Sequence, residues 1–112
     1  MKVKVCGSKG CEEVEAEVDT GADIFIVSRE ILERIGAIKV GRGKITLADG
    51  SEIWSDVYSV KVKYEGRETF SHVAPIEEKA TIDRETIEKL NLMIDPVEGR
   101  IIKKPYKGHF EA

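Results

Sequence analysis

The chain has 112 residues, 18 basic and 21 acidic, for a net charge of −3. That length suits one domain with a core just sufficient for independent folding, and the charge balance lacks the basic excess usual in nucleic-acid-binding domains. No apolar run approaches a membrane span and Met1-Lys2-Val3-Lys4-Val5 has no signal-peptide core, so a cytoplasmic protein without nucleic-acid or membrane partners is expected.

Lys2 to Cys6 alternates charged and apolar residues and reads as a first strand, followed by the glycine-rich turn Gly7-Ser8-Lys9-Gly10. Cys6 and Cys11 flank that turn. In an ordinary cytosol they are expected as free thiols, with a cross-hairpin disulfide as the alternative in a hyperthermophile. Two cysteines without a nearby His supply too few ligands for zinc, so no metal and no cofactor is expected. Many Glu and Lys, no Gln and Asn91 as the one Asn suggest a thermophilic source.

A second strand is expected from about Glu12 to Asp19, with Val14, Ala16 and Val18 alternating against Glu13, Glu15 and Glu17. It runs into Asp19-Thr20-Gly21-Ala22-Asp23 and leaves through the apolar run Ile24-Phe25-Ile26-Val27, which reads as a buried strand. A carboxylate held between two strands at an apolar interior suits acid–base chemistry. An Asx-type turn is the plainer alternative, because Asp, Thr and Gly all form turns. Ser28 to Gly36 has the marks of a helix: a capping Ser, an apolar face of Ile31, Leu32 and Ile35, and a terminal Gly.

Lys44-Ile45-Thr46-Leu47 and Glu52-Ile53-Trp54 flank Ala48-Asp49-Gly50-Ser51, and Asp-Gly between extended segments predicts a type I′ hairpin. A long alternating strand follows, with Trp54, Tyr58, Val60, Val62 and Tyr64 on one face, before Glu65-Gly66 turns it back into Arg67–Pro75. Gly41-Arg42-Gly43-Lys44 lacks the spacing and the Ser/Thr of a phosphate loop. His72 and His109 have no ligating neighbours in sequence, and Lys103, Lys104 and Lys107 read as a solvated tail. There is no repeat or linker, so residues 1–112 are expected as a single domain.

Asp19-Thr20-Gly21-Ala22, entered from an alternating strand and left through an apolar one, resembles the active-site loop of aspartic proteases. The likeness is to the short, single-motif retropepsin-like branch that includes retroviral proteases. Ile82-Asp83-Arg84 leading into a helix to Leu90, then Leu92-Met93-Ile94 and a closing hairpin, resembles that family's second signature. The resemblance runs from about Val14 to Ile102. It implies an all-β fold, a closed β-barrel with one or two short helices, working as a homodimer on peptide or protein substrates.

The family's chemistry needs two aspartates around one water, and this chain has one Asp-Thr-Gly. The second must come from another copy, across a two-fold axis. The resemblance assigns Asp19, Thr20 and Gly21 to catalysis, with Thr20 bonding across the axis and Gly21 admitting substrate backbone. It assigns Ala22, Asp23 and the flap tip Ala48-Asp49-Gly50 to substrate binding. Asp83 and Arg84 are structural support, Arg84 pairing with Asp23 beneath the site. The family has Gly where Asp83 stands, and a helix-capping role would explain the departure. Asp83 and the charged flap tip also suit a second reading, a dimeric binding or assembly module with little proteolysis. A third is a plain β-barrel in which Asp19-Thr20-Gly21 is a turn.

Overall fold

The structure is a computed structural model that describes residues 1–47, 49–95 and 97–104. Strands β1 (Lys2–Gly7) and β2 (Gly10–Glu15) form a hairpin in which Val3 and Val5 alternate into the core. Its register sets Cys6 opposite Cys11, and the two are joined as a disulfide with Cα atoms 4.0 Å apart, in place of the expected free thiols. The expected long second strand is interrupted. Pairing with β1 runs on in the same register to Met1 and Ala16, the Ala16 N–H donating to the Met1 carbonyl (2.7 Å) and the Met1 amine to the Ala16 carbonyl (2.8 Å). Pairing then resumes as β3 (Glu17–Val18) with a different partner.

Strand β4 (Phe25–Ile26) sits within a fully buried run, Ile24 to Val27. Helix α1 (Arg29–Ile35) follows. Ser28 caps it by accepting from the Ile31 N–H at 3.4 Å, and Gly36 ends it in the left-handed region, φ 69°. Arg34 grips Glu12 through two parallel bonds (3.0 and 2.8 Å), tying α1 to β2. Both these helix ends were legible in the sequence.

Strands β5 (Ile38–Thr46) and β6 (Glu52–Tyr64) make the predicted hairpin, and β6 and β7 (Arg67–Ala74) make the next. The first turn differs from expectation. The Gly50 N–H donates to the Leu47 carbonyl (2.9 Å) and the Leu47 N–H to the Ser51 carbonyl (2.8 Å), so Asp49-Gly50 is not the central pair of a two-residue turn. The two-residue turn with both φ values positive is at Glu65 (45°) and Gly66 (83°), between paired Tyr64 and Arg67.

Strand β8 (Thr81–Ile82), helix α2 (Arg84–Lys89), and the antiparallel ribbon of β9 (Leu92–Ile94) and β10 (Ile101–Lys103) complete the described chain. The main sheet runs β2-β1-β6-β7-β4-β8-β3, with β5 on β6. The fold is mostly β, as expected, with few helices and a sheet that curls as a half-barrel. The two ends of its path, β2 and β3, are consecutive lengths of chain parted at Ala16.

The main core gathers β1, β6 and β7 residues with α1 and α2, Phe25 and Leu92 among its fully buried members. A second, smaller cluster joins Ile24, Ile26 and Ala74 to Ile45, near the turn end of the β5–β6 hairpin. Along α2 the buried positions are Asp83, Thr86, Ile87 and Leu90, and Arg84, Glu85, Glu88 and Lys89 are exposed. That is one face of a helix at its 3.6-residue period. Arg67 fixes the far end of α2, donating to the carbonyls of Leu90 (3.2 Å), Asn91 (2.6 Å) and Lys104 (3.1 Å).

Asp83 occupies the N-cap position of α2, but its carboxylate makes no cap bond to a helix N–H, as the capping expectation required. It accepts from the Thr86 hydroxyl at 2.5 Å, and Thr86 in turn lies 2.6 Å from the Ser71 hydroxyl on β7. With Thr86 donating to Asp83, Ser71 is the donor to Thr86. All three residues are buried. Burial raises the Asp83 carboxyl above its ordinary value, against the opposing pull of the Thr86 bond.

Two outcomes are expected. Arg67→Ala removes a charged donor from three carbonyls and should cost about 2–3 kcal/mol in urea unfolding, whereas Arg100→Ala, paired only with exposed Glu98, should cost about 0–1 kcal/mol. For Asp83, the raised native value means that the folded state holds the proton longer than the unfolded state. Its contribution is therefore present in acid and lost as pH rises through the native value. The stability of Asp83→Asn relative to the unsubstituted chain should accordingly increase as pH rises from about 4, where an unfolded carboxyl titrates. A pH-independent difference would remove the buried carboxyl from the account.

Candidate active site

Asp19 is positioned by three strands. Its approach, β3, pairs parallel with β8 (Glu17 with Thr81, Val18 with Ile82), and the Asp19 N–H extends that ladder to the Ile82 carbonyl at 3.0 Å. The exit strand β4 pairs antiparallel with β8 at Ile26–Thr81 and parallel with β7. The strands on either side of Asp19 therefore do not pair with each other; β8 lies between them. The loop from Asp19 to Ile24 must bridge the width of one intervening strand, and both of its feet are fixed by the same two residues, Thr81 and Ile82.

Within the loop the Ala22 N–H donates to the Asp19 carbonyl (3.2 Å), and the Gly21 N–H donates to the Asp19 carboxylate (3.0 Å). The loop is thus an Asx turn, the plainer alternative in the sequence, and it also aims a half-buried carboxylate into a cleft. A side chain at Gly21 is not needed for this geometry; its amide is. Thr20 and Gly21 are exposed on the single chain.

The cleft holds about 60 Å³. Asp19, Ala22 and Asp23 form one side and Ile45, Thr46 and Leu47 of β5 form the other. The hairpin expected as a flap thus meets the Asp19 loop through its turn end, with Ile45 held in the second apolar cluster. Asp49 and Gly50 do not line the cleft, and Ala48 lies outside the described residues. The Asp49 carboxylate turns back on its own hairpin, accepting from the Ser51 hydroxyl (2.6 Å) and N–H (2.9 Å), bonds that lower its proton affinity.

Arg84 does not meet Asp23. Among the described residues Asp23 forms no ion pair, and Arg84 lies against Ile87, Glu88 and Met93 on the other side of α2. The reason is helical phase. Successive residues turn by about 100°, so burying Asp83, Thr86 and Ile87 sends Arg84 outward. Asp83 does not line the cleft; it follows β8 directly and is linked through Thr86 to Ser71 on β7.

Sequence reasoning missed Glu77 and Thr81, which also line the cleft. Thr81 was available as the polar residue between buried Ala80 and Ile82; Glu77 carries no signal beyond its charge. The Thr81 hydroxyl oxygen is buried without a hydrogen-bond partner among the described residues. No group of three or more His, Cys, Asp or Glu side chains among those residues is placed to hold a metal, and no helix there is long and apolar enough to cross a membrane. Larger hollows exist, one of about 640 Å³ beside Lys4 and Lys63, but it presents no carboxylate framed by backbone in this way.

No family model matches the chain, and no curated protein matches it. Solved structures do, among them the following two. One is the foamy viral protease-reverse transcriptase in complex with an RNA/DNA hybrid, 23% identical over 79% of this chain with a TM-score of 0.54. The other is the foamy viral protease-reverse transcriptase dRH in complex with double-stranded DNA, 23% identical over 87% of this chain with a TM-score of 0.53. This chain spans only 11% and 17% of those proteins' lengths. The shared feature is a fold: the chain is built like part of a protein that contains a viral protease.

Proposed function

We propose that the chain is an aspartic endopeptidase of the retropepsin-like type, active as a homodimer. The observation that carries this reading is Asp19, held by backbone at a cleft that is also lined by the turn end of the β5–β6 hairpin. Each copy supplies one such carboxylate. In a two-fold dimer Asp19 faces Asp19 of the second copy, and the exposed Thr20 and Gly21 are covered. Two carboxylates that close share a proton, the established behaviour of acid-protease pairs. The ionised one takes a proton from a water as it attacks the scissile carbonyl, and the protonated one donates toward the carbonyl oxygen.

The size of the cleft supports a moving hairpin. About 60 Å³ is room for a few waters and not for an extended peptide. An extended peptide needs the β5–β6 hairpin to lift and the second copy to supply the other wall. The peptide then lies beneath the hairpin and bonds to its main chain in the manner of an added strand.

A second reading keeps the dimer and the peptide groove but not the hydrolysis. Buried Asp83, standing where the resembled family has glycine, favours it, because it changes the packing directly behind the Asp19 loop.

Asp19→Asn should fold, dimerise and fail to cleave a denatured protein that the unsubstituted chain cleaves in a pepstatin-sensitive way, and specific activity should fall on dilution below the dimer dissociation constant. A dimer that cleaves nothing from acid to neutral pH would leave the binding module. Hydrogen exchange tests the hairpin separately: the amides of Leu47 and of Asp49 to Ile53 should gain protection when a peptidomimetic binds, as lids do. Unchanged exchange despite proven binding would make it an ordinary connection.

A further inference from the structure

Cys6 and Cys11 are joined across the β1–β2 hairpin with a sequence separation of 5. As a staple the bond is redundant. Closing so short a loop removes little chain entropy from the unfolded state. The hairpin is held without it by six facing pairs, from Lys2 with Glu15 to Gly7 with Gly10. Arg34 of α1 ties β2 down further through its two bonds to Glu12, next to Cys11.

The same bond is well placed for exchange. Strand β2 ends the sheet path, with no strand on its outer side among the described residues. Cys11 is exposed on that strand, and Cys6 on β1 is nearly buried. The line from Cys6 through Cys11 therefore leaves the sheet at its open edge, the direction from which a thiolate attacks the Cys11 sulfur. On the inner side Cys6 opens onto a hollow of about 380 Å³ lined by Lys61, Lys63, Ile38 and Phe70. Lys61 stands opposite Cys6 in the β1–β6 register, and Lys63, two residues on, shares its side of the strand. Lys61 also reaches Glu68 at 3.6 Å. Ammonium groups beside a cysteine favour its thiolate.

The bond closes the turn from Gly7 to Gly10, and that turn finishes α1. The N–H groups of Ser8 and Lys9 donate to the carbonyls of Gly36 (3.0 Å) and Ile35 (2.8 Å), and the Ser8 hydroxyl donates to Gly36 as well (2.9 Å). These belong to the carbonyls that a helix end leaves without partners of its own. The contact is backbone against backbone: a Cβ at Gly7 would lie 2.5 Å from the Ile35 carbonyl oxygen. Gly36 and Ala37 lead straight into β5, so the turn sits at the joint between α1 and the β5–β6 hairpin.

We propose that Cys6–Cys11 is a thiol-exchange site for a dithiol reductant, and that opening the bond loosens the turn that caps α1. One thiolate of the dithiol attacks the Cys11 sulfur. The Cys6–Cys11 bond breaks, a mixed disulfide forms on Cys11, and Cys6 leaves as a thiolate into the hollow beside Lys61 and Lys63. The second thiolate attacks the reductant's own sulfur in the mixed disulfide and releases Cys11. Two electrons pass from the dithiol, which becomes a disulfide, to the two cysteines. The two protons that the dithiol gives up are replaced on the cysteines through water.

The test uses the full-length chain in native buffer, with dithiothreitol as the dithiol and glutathione as a monothiol that stops at the mixed disulfide. Modified cysteines are located by mass spectrometry, and amide hydrogen exchange is followed in the same samples. The rate of reduction should be proportional to dithiothreitol concentration, and glutathione should be found on Cys11 rather than Cys6. Lys61→Gln combined with Lys63→Gln should slow the reaction several-fold, because a leaving thiol of higher pKa departs more slowly. In the reduced chain, and in Cys6→Ser combined with Cys11→Ser, the amides of Ser8 and Lys9 should exchange about tenfold faster, the low end of what a disulfide contributes. Val5 and Val62 in the core should keep their protection. If the double serine variant does not fold, the reduced unsubstituted chain decides. A rate independent of thiol concentration, which means that the bond opens only when the chain unfolds, overturns the inference. So does glutathione on Cys6, a rate unmoved by the lysine substitutions, unchanged exchange at Ser8 and Lys9 after reduction, or loss of protection throughout the core.

Discussion

Strand β8 is only two residues long, yet the candidate site depends on it. Thr81 and Ile82 bond to β3 on one side, and Thr81 pairs with β4 on the other. The backbone groups of these buried strands have no water to turn to, and an unpaired one is costly. The ladder therefore fixes the separation of β3 and β4, and with it the span of the loop that carries Asp19. Ile82 is fully buried and Asp83 follows it directly into α2. Whatever holds α2 down also holds the floor of the loop, which is why the Ser71–Thr86–Asp83 chain and the three carbonyl bonds of Arg67 matter to a site they do not touch.

The same arrangement explains how a small domain can hold a carboxylate at an apolar cleft. Asp19 is restrained by the backbone N–H of Gly21 and by the β8 ladder, with no ion pair to it among the described residues. A cation there would favour the ionised form and oppose proton sharing with a second carboxylate. The helical phase that sends Arg84 outward keeps that cation away. Asp23 is left on the cleft without an ion pair among the described residues.

Much of the fold was legible because local chemistry and tertiary structure agree. Ser28 and Gly36 mark α1, the Val14–Val18 alternation marks the approach to Asp19, and Glu65-Gly66 marks a tight turn whose two positive φ values suit its residues poorly except at Gly66. Errors arose where a distant partner decided. The strand changes partner after Ala16, from β1 to β8, and the Cys6–Cys11 bond is made by a register that places the two residues opposite each other. The Asp23–Arg84 pair was carried over from a resemblance, although the spacing of Asp83, Thr86, Ile87 and Leu90 already implied that Arg84 faces outward. In the site, Asp19 was legible from its strand–turn–strand setting. Glu77 and Thr81 were not, because they reach the cleft only through the placement of β8 between two strands far earlier in the chain.

The central claim is that the site is built from two chains, each giving one Asp19. It is tested most directly by co-refolding the unsubstituted chain with Asp19→Asn at a fixed total concentration, well above the dimer dissociation constant, and following cleavage against composition. If both carboxylates are needed and the chains pair at random, activity falls as the square of the unsubstituted fraction, so that an even mixture retains about a quarter, by mass action. A linear fall, with half the activity in an even mixture, would mean that one chain suffices and would contradict the two-chain site.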